Sequence, residues 1–208
     1  MVAAAFVPTP PLLVPEIAGG SADRDDDLRT ACRDAVATLA GADRLVVVGS
    51  APQSRAYEGC WDPRPFGVPG PAVTALPYAL GIGQWLTRDL DLPTTFQGVA
   101  DALDAAAISD EGRVALLVCG DGSARRDEKA PGHVDPRAEP FDEGVLDALR
   151  SGDPERLLAL DPLLADELLA TGVRPWHLLA RAAGNRRTAR VTYAKAPYGV
   201  MYVVGTWA

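Results

Sequence analysis

Apolar residues follow two different spacings along the chain. The runs at 3–7, 44–50 and 113–120 are short and nearly continuous, without the alternation of a half-exposed strand. Such runs predict strands that are buried on both faces of a sheet. Between them apolar residues recur at helical spacing, most clearly at 28–39 and 139–149. Strands alternating with helices predict an α/β domain with a mixed or mostly parallel central sheet flanked by helices on both faces.

The remaining segments extend this prediction along the whole chain. Further helices are expected at 82–90, 100–107, 154–169 and 176–183, a strand at 72–76, and a long loop at 51–71, which is rich in proline and glycine. Two final strands, in RTARVTYAK and YGVMYVVGTW, either form a hairpin around KAPYG or lie apart in the sheet. The 208 residues are expected to form one domain, 1–208.

Composition narrows the class of protein. Hydrophobic residues make up 48%, enough for a full core, and 20 basic against 28 acidic residues leave a net charge of −8. An acidic surface repels phosphate backbones, so no nucleic-acid partner is expected. No apolar run could span a bilayer, and the proline-broken N-terminus lacks the basic region of a signal peptide. The three cysteines have no metal-type spacing, and reduced thiols in a cytoplasmic protein are predicted.

Two strand ends carry polar residues that could take part in binding or catalysis. In LLVCGDGS, Asp121 could bind a metal or orient a base, and Ser123 could donate a hydrogen bond. The alternative is a turn in which the same side chains cap a helix. In VVVGSAPQS, Ser50 ends a buried strand, but the segment is neither a dinucleotide-binding glycine fingerprint nor a P-loop, and Pro52 removes a backbone donor.

Histidine and cysteine chemistry is weakly indicated. His133 and His177 lie far apart, and both are predicted to be solvated, on a loop and on a helix surface respectively. No serine lies in a nucleophile elbow. Cys119 ends a buried run and is predicted to be an inert core thiol, whereas Cys60 is expected to be more exposed and the better reactive candidate.

Three motifs, taken in order, resemble one known superfamily. They are PTPPLLVPEIAGG, then GDGSARRDEKAPGHVDPRAEPFD, then TYAKAPYGVMYVVG. Together they resemble the class III extradiol ring-cleaving dioxygenases, of the catalytic-subunit type in protocatechuate-cleaving enzymes and their Memo-like relatives. In that family the matching motifs are Pro-His-Pro-Pro-Leu, Gly-Asp-Leu-Ser-His with a following Phe-Asp, and Tyr-Glu-x-Pro-Tyr/Phe-Gly-Val-Gly-Tyr. The matches span nearly the whole chain.

The residues that this family uses for iron and proton transfer are replaced here. Its first iron-binding histidine corresponds to Thr9, its second falls within 50–53, and its catalytic histidine corresponds to Ala124. The closing carboxylate corresponds to Ala194, and a further cleft histidine falls near 80–83, where there is none. Threonine, alanine and proline cannot replace imidazole at Fe(II). The resemblance therefore implies a chain without iron or another cofactor.

The functional prediction follows from these replacements. The resemblance implies a metal-free, non-catalytic homologue, a pseudoenzyme, that binds a small molecule or a protein partner. The alternative is an enzyme of the same superfamily, of extradiol type or with other chemistry, acting in the cleft at the strand ends. A homo-oligomer or a second subunit is also implied as a partner. The candidate cleft residues are Thr9, Ser50, Asp121, Ser123, Arg125 and Tyr198.

Two geometric expectations accompany this prediction. The loops after the strands that end at Val7, Gly49 and Gly120 should meet on one side of the sheet. The cleft should be neutral or basic, with charge from Arg125 or Lys195 if either points inward. Lys195 either fills the former metal position beside Asp121 or, by strand alternation, faces solvent while Ala194 faces inward.

Overall fold

Seven strands form one sheet in the computed structural model, which describes residues 1–19, 26–101, 108 and 112–208. They are β1 (Ala3–Val7), β2 (Arg44–Ser50), β3 (Arg55–Tyr57), β4 (Thr94–Val99), β5 (Val114–Cys119), β6 (Ala189–Lys195) and β7 (Tyr202–Trp207). Their order is β3-β4-β2-β5-β1-β7-β6. The central β4, β2, β5 and β1 are parallel to their neighbours in that group, whereas β3, β7 and β6 join antiparallel. The prediction of a mixed, mostly parallel α/β sheet is confirmed.

Helices cover both faces of this sheet. Within the described residues they are α1 (Pro15–Ala18), α2 (Asp26–Ala37), α3 (Tyr78–Thr87), α4 (Ala138–Ser151), α5 (Pro154–Leu158), α6 (Pro162–Glu167) and α7 (Val173–Ala183), with 3₁₀ turns at Pro11–Leu13 and Arg64–Phe66. Side chains on β1 alternate between the faces: Ala4 and Phe6 pack with α4, α5 and α7, while Ala5 and Val7 pack with α2 and α3. Both faces of the central strands are therefore buried, which explains their continuous apolar runs. No helix in the described residues is long and apolar enough to cross a membrane.

Several predicted elements differ from the structure. Helix α3 begins at Tyr78 instead of residue 82, and its Gly83 is needed because a Cβ there would lie 2.4 Å from Val47 Cγ1. The predicted helix at 154–169 is two short helices, since Asp161 caps a second start by accepting a hydrogen bond from the Leu163 N–H. The predicted strand at 72–76 is wrong, because only an isolated bridge between Cys60 and Ala75 forms there.

Two further differences concern the sheet and its connections. Strand β4 was not predicted, because its polar threonines and glycine mask a strand that pairs parallel with β2. The loop predicted at 51–71 contains β3 and a 3₁₀ turn. The helix predicted at 100–107 falls mainly on 102–107, outside the described residues. The closing strands β6 and β7 are antiparallel neighbours, so the hairpin alternative is confirmed.

Candidate functional site

The carboxyl ends of β1, β2 and β5 meet around one open cavity of about 390 Å³, called here the strand-end cavity. Parallel strands bring their carboxyl ends to the same edge of a sheet, and the loops that follow form a crevice there. The expectation that the loops after Val7, Gly49 and Gly120 converge is confirmed. The lining residues are Thr9, Ser50, Ala51, Pro52, Pro77, Tyr78, Ala79, Asp121 and Thr171.

Asp121 joins the ends of β1 and β5. Its Oδ1 accepts the Thr9 N–H at 2.9 Å and its Oδ2 accepts the Thr9 hydroxyl at 2.6 Å, with a longer bond of 3.4 Å from the Thr171 hydroxyl. Burial raises the pKa of Asp121 above its usual value, although the hydrogen bonds from Thr9 and Thr171 oppose that shift. The cavity therefore contains a carboxylate that holds a proton more readily than an exposed one.

Tyr78 also binds Thr9. Its hydroxyl donates to the Thr9 carbonyl oxygen, and burial raises the pKa of the Tyr78 phenol. Its ring also packs against Trp61 and Phe66, at centroid distances of 6.4 and 5.8 Å. All three polar groups of Thr9, its N–H, hydroxyl and carbonyl, are thus engaged by Asp121 and Tyr78. This Asp121–Thr9–Tyr78 network ties the loop after β1 to β5 and to the start of α3.

A second, shallower cavity of about 440 Å³ adjoins the first. The two share Ser50, Ala51 and Thr171 as lining residues. Its charged residues are Arg174 and Asp166, which form a two-pronged ion pair with N–O distances of 2.5 and 2.7 Å. The strand ends thus carry an extended groove with a carboxylate at one end and a neutralised pair at the other.

Close backbone contact positions Asp121 in this groove. A Cβ on Gly120 would lie 2.4 Å from the Gly172 Cα, so only glycine lets the turn after β5 approach the start of α7. The Gly172 N–H donates to the Asp121 carbonyl at 2.9 Å, and the Asp121 N–H donates to Thr171 Oγ1 at 3.0 Å. The loop before α7 is therefore part of the site.

Three of the six predicted cleft residues line the strand-end cavity: Thr9, Ser50 and Asp121. Ser123 does not, because it is fully buried and donates its hydroxyl to the Leu168 carbonyl at 3.0 Å. Its role matches the alternative of a structural turn.

Arg125 and Tyr198 also lie outside that lining. The Arg125 guanidinium donates to the Gly132 and Glu167 carbonyls at 2.7 and 2.9 Å, which directs it away from the cavity. Tyr198 lies between β6 and β7 and is 37% exposed. Among the described residues no arginine or lysine lines the strand-end cavity, so the positive charge expected from Arg125 or Lys195 is not found there.

Lys195 does not reach Asp121. Its ammonium lies 3.4 Å from Asp27 Oδ2, and both side chains are mostly exposed. Ala194 is half-buried and packs against the face that carries α4 and α7. Of the two interpretations of Lys195, strand alternation with a solvated ammonium is the one observed.

Substituting Lys195 with alanine is expected to change the free energy of unfolding by no more than about 0.5 kcal/mol, because exposed ion pairs contribute little. Chemical denaturation of the wild-type and variant proteins measures this change. A loss of about 2 kcal/mol or more would show that the lysine compensates a buried charge.

The positions that correspond to iron ligands in the resembling family do not fit Fe(II). Thr9 lines the cavity, but its hydroxyl is committed to Asp121. Ala124 and Ala194 have no donor atom in their side chains and lie outside the lining. In the described part of the chain, no three His, Cys, Asp or Glu side chains are grouped so that they could hold a metal.

The two histidines lie in different environments, one exposed and one buried. His133 is exposed in a loop, as predicted, and adopts a positive φ of 57°. The prediction of a solvated surface histidine is wrong for His177, which is 8% exposed on α7, and burial lowers its pKa. Nothing in the sequence around His177 indicated whether its side chain would face the core or the solvent.

The cysteines follow the prediction. Cys119 is fully buried and Cys60 is exposed. Burial raises the pKa of the Cys119 and Cys32 thiols far above their usual range, so neither is a nucleophile at neutral pH.

Two residues of the site, Tyr78 and Thr171, were not predicted from the sequence. Tyr78 lies in the first turn of α3, directly after Pro77 and four residues before the predicted start of that helix. Thr171 precedes the Gly172–Val173 start of α7 and lies 50 residues from its partner Asp121. A proline followed by an aromatic residue, and a Thr-Gly before a helix, were the available signals. Neither pattern specifies a partner that is distant in sequence.

Comparison with known proteins identifies the fold and nothing more specific. No family model matches the chain, and no curated protein matches it. Fifteen chains of solved structures do match. One is the crystal structure of the uncharacterized protein JW3007 from Escherichia coli K12, with a TM-score of 0.58 and 16% identity over 100% of this chain and 99% of that one. A likeness at this identity shows that the two chains share an α/β fold over their full length.

Proposed function

We propose that this chain is a metal-free, non-catalytic homologue of the class III extradiol dioxygenases that binds a small molecule in the strand-end cavity. Two findings support the proposal. Two of the motifs that resemble the family bring Thr9 and Asp121 to one cavity, which Ser50 also lines. The positions expected to carry imidazole or a metal-binding carboxylate carry threonine and alanine instead.

The state of Thr9 is the observation on which the proposal depends. Thr9 is 2% exposed, and its three polar groups are bound within the protein. A residue in this state holds two loops together, and its hydroxyl proton is already committed to Asp121. The position of a first iron ligand has become a structural hydrogen-bond junction.

The rest of the cavity suits a small, mostly apolar ligand with one polar edge. Pro52, Pro77 and the ring of Tyr78 form apolar walls, while Ser50 and Thr171 provide hydroxyls. Such a combination of apolar walls and few polar groups is typical of small-molecule sites. Ser50 and Thr171 would give orientation to the ligand, and the apolar walls would give most of the binding energy.

An enzyme acting in the same cavity is the second candidate function. It is favoured by Asp121, whose raised pKa and position in a crevice suit a general acid or base. In this alternative Asp121 would exchange a proton with a ligand polar group, and Thr171 would help to orient the carboxyl. A homo-oligomer or a second subunit is the remaining proposed partner, and the mass of the purified protein in solution tests it.

The proposed absence of iron and of ring-cleaving activity is tested by measuring iron content and ring cleavage. Protein purified without oxygen and then incubated with Fe(II) is expected to retain far less than one iron per chain after desalting, because no imidazole lies at the strand ends. Catechol and protocatechuate are expected to remain uncleaved, as followed by absorbance of the ring-opened product. One iron per chain together with product formation would overturn the proposal.

Ligand binding needs a separate test. Chemical-shift perturbation with catechol as the probe is expected at residues that line the cavity and to be lost in Ala51→Trp, which places an indole between the two adjoining cavities. Ala56→Trp, on the exposed edge strand β3, is the matched control. Perturbations that persist in Ala51→Trp would place the binding elsewhere. Turnover of the probe that is lost in Asp121→Asn would favour the enzyme.

A further inference from the structure

A separate cavity of about 260 Å³ lies between α2 and α3. It shares no lining residue with the strand-end cavity, because Tyr78 and Ala79 lie at one end of α3 and Trp85 and Leu86 at the other. The two ends of this ten-residue helix are about 15 Å apart. The lining residues are Pro15, Asp26, Arg29, Arg33, Trp85, Leu86, Arg88 and Asp89.

Arg29 is a buried cation at this cavity. The residue is only 9% exposed, and its one hydrogen bond among the described residues goes from Nη1 to the Leu12 carbonyl at 2.8 Å. Within the same residues no carboxylate lies at ion-pair distance from it. A guanidinium removed from water without an opposite charge is unfavourable, and a neutral carbonyl compensates only one of its five N–H groups. An anion in the cavity would compensate the others.

Two more guanidiniums line the same cavity. Arg88 lies over the Trp85 ring at 4.0 Å from the centroid and donates to the Trp85 carbonyl at 2.6 Å. Arg33 donates to the Thr30 hydroxyl at 3.2 Å. Each of these contacts uses one N–H, so several donors of both side chains remain for a ligand. Stacking on the indole holds the Arg88 plane at the edge of the cavity.

The two acidic residues of the lining do not neutralise this cluster. The Asp89 side chain is 84% exposed and lies 3.6 Å from Arg88, and Asp26 is also exposed. Water screens these rim charges, whereas the buried charge of Arg29 is screened much less. The lining carries three arginines against two aspartates, a local excess of positive charge in a chain of net charge −8, and Arg29 is its buried part.

We propose that this cavity binds a small anion with two or more negative charges, through carboxylate or phosphate oxygens. Three arginines around one space match the planar, two-pronged recognition that such oxygens receive from guanidinium groups. The volume has room for about eight water molecules, which suits a small metabolite. The proposal is independent of the function proposed for the strand-end cavity.

Titration with two probe anions tests the site. Pyrophosphate supplies phosphate oxygens and citrate supplies carboxylate oxygens, and each is added to the wild-type protein at low ionic strength. At least one is expected to shift the Trp85 indole N–H resonance and to bind by calorimetry, with affinity that falls as salt is added. The stronger of the two identifies the oxygen chemistry preferred by the arginines.

Substitution of the exposed arginines distinguishes a specific anion site from general electrostatic attraction to positive charge. Arg33→Gln and Arg88→Gln are each expected to weaken the stronger anion about tenfold, the effect of losing one charge-assisted contact. The matched control is Arg55→Gln on β3, an exposed arginine that also stacks on an aromatic ring, Tyr57 at 3.9 Å. It should leave the affinity unchanged. No binding of either anion at about 10 mM, or equal weakening by all three substitutions, would overturn the proposal.

Discussion

Replacing Asp121 with alanine is expected to lower the free energy of unfolding by about 2 to 4 kcal/mol, measured by chemical denaturation. The substitution removes the acceptor of both the Thr9 N–H and the Thr9 hydroxyl, and Thr9 is 2% exposed. A buried donor without a partner loses its hydration and gains nothing in return, at about 1 to 3 kcal/mol for each group. Asp121→Asn keeps one carbonyl acceptor and is expected to lose less.

Two further variants locate the source of that loss. Ser50→Ala changes a polar residue of the same cavity outside the network, and it should alter stability by no more than about 0.5 kcal/mol. Thr9→Val removes only the hydroxyl, and the double variant with Asp121→Ala should lose less than the sum of the two single losses. If Asp121→Ala were as stable as Ser50→Ala, the carboxylate would not hold the strand ends together.

Replacing Asp142 with asparagine is expected to raise the free energy of unfolding relative to wild type, by an amount that grows with pH. Asp142 is completely buried on α4, where Oδ1 accepts the Ser123 N–H at 2.8 Å. Its Oδ2 has no hydrogen-bond partner among the described residues and lies 3.5 Å from Arg126. Burial raises the pKa of Asp142 from 3.8 to about 6, with the Ser123 N–H and Arg126 opposing the shift.

The sign of the effect follows from this raised pKa. The folded state holds the proton of Asp142 more tightly than the unfolded chain, so its favourable contribution is complete below pH 3.8 and is lost as the pH rises through about 6. Asparagine keeps the acceptor for Ser123 and cannot ionise. The stability of the variant relative to wild type should therefore increase between pH 4 and pH 8, by up to about 3 kcal/mol.

The control is Glu139→Gln, which removes an exposed carboxylate 3.2 Å from the same arginine. Its stability difference from wild type is expected to stay within about 0.5 kcal/mol across the pH range. A difference between Asp142→Asn and wild type that did not change with pH would show that Asp142 titrates at its ordinary pKa. Thermal denaturation at each pH provides the comparison.

Much of the candidate site could be predicted because it depends on strand ends. The buried runs before Thr9, Ser50 and Asp121 are readable as parallel strands, and such strands place their carboxyl ends together. Ser123 and Arg125 follow Asp121 directly but lie outside the cavity. A turn reverses direction within a few residues, so neighbours in sequence face different sides. Tyr78 and Thr171 were missed because their partners, Thr9 and Asp121, lie 69 and 50 residues away.

The α/β class and the central buried strands could be predicted from the sequence, as could the absence of histidine at Thr9 and Ala124. These features depend on residue type and on local periodicity, which a single chain displays directly. Four features could be seen only in the folded chain. All three polar groups of Thr9 are hydrogen-bonded, Lys195 pairs with Asp27, His177 is buried, and three arginines share a cavity. Each of these depends on which distant segments pack together, because burial and charge pairing are properties of the assembled sheet and its helices.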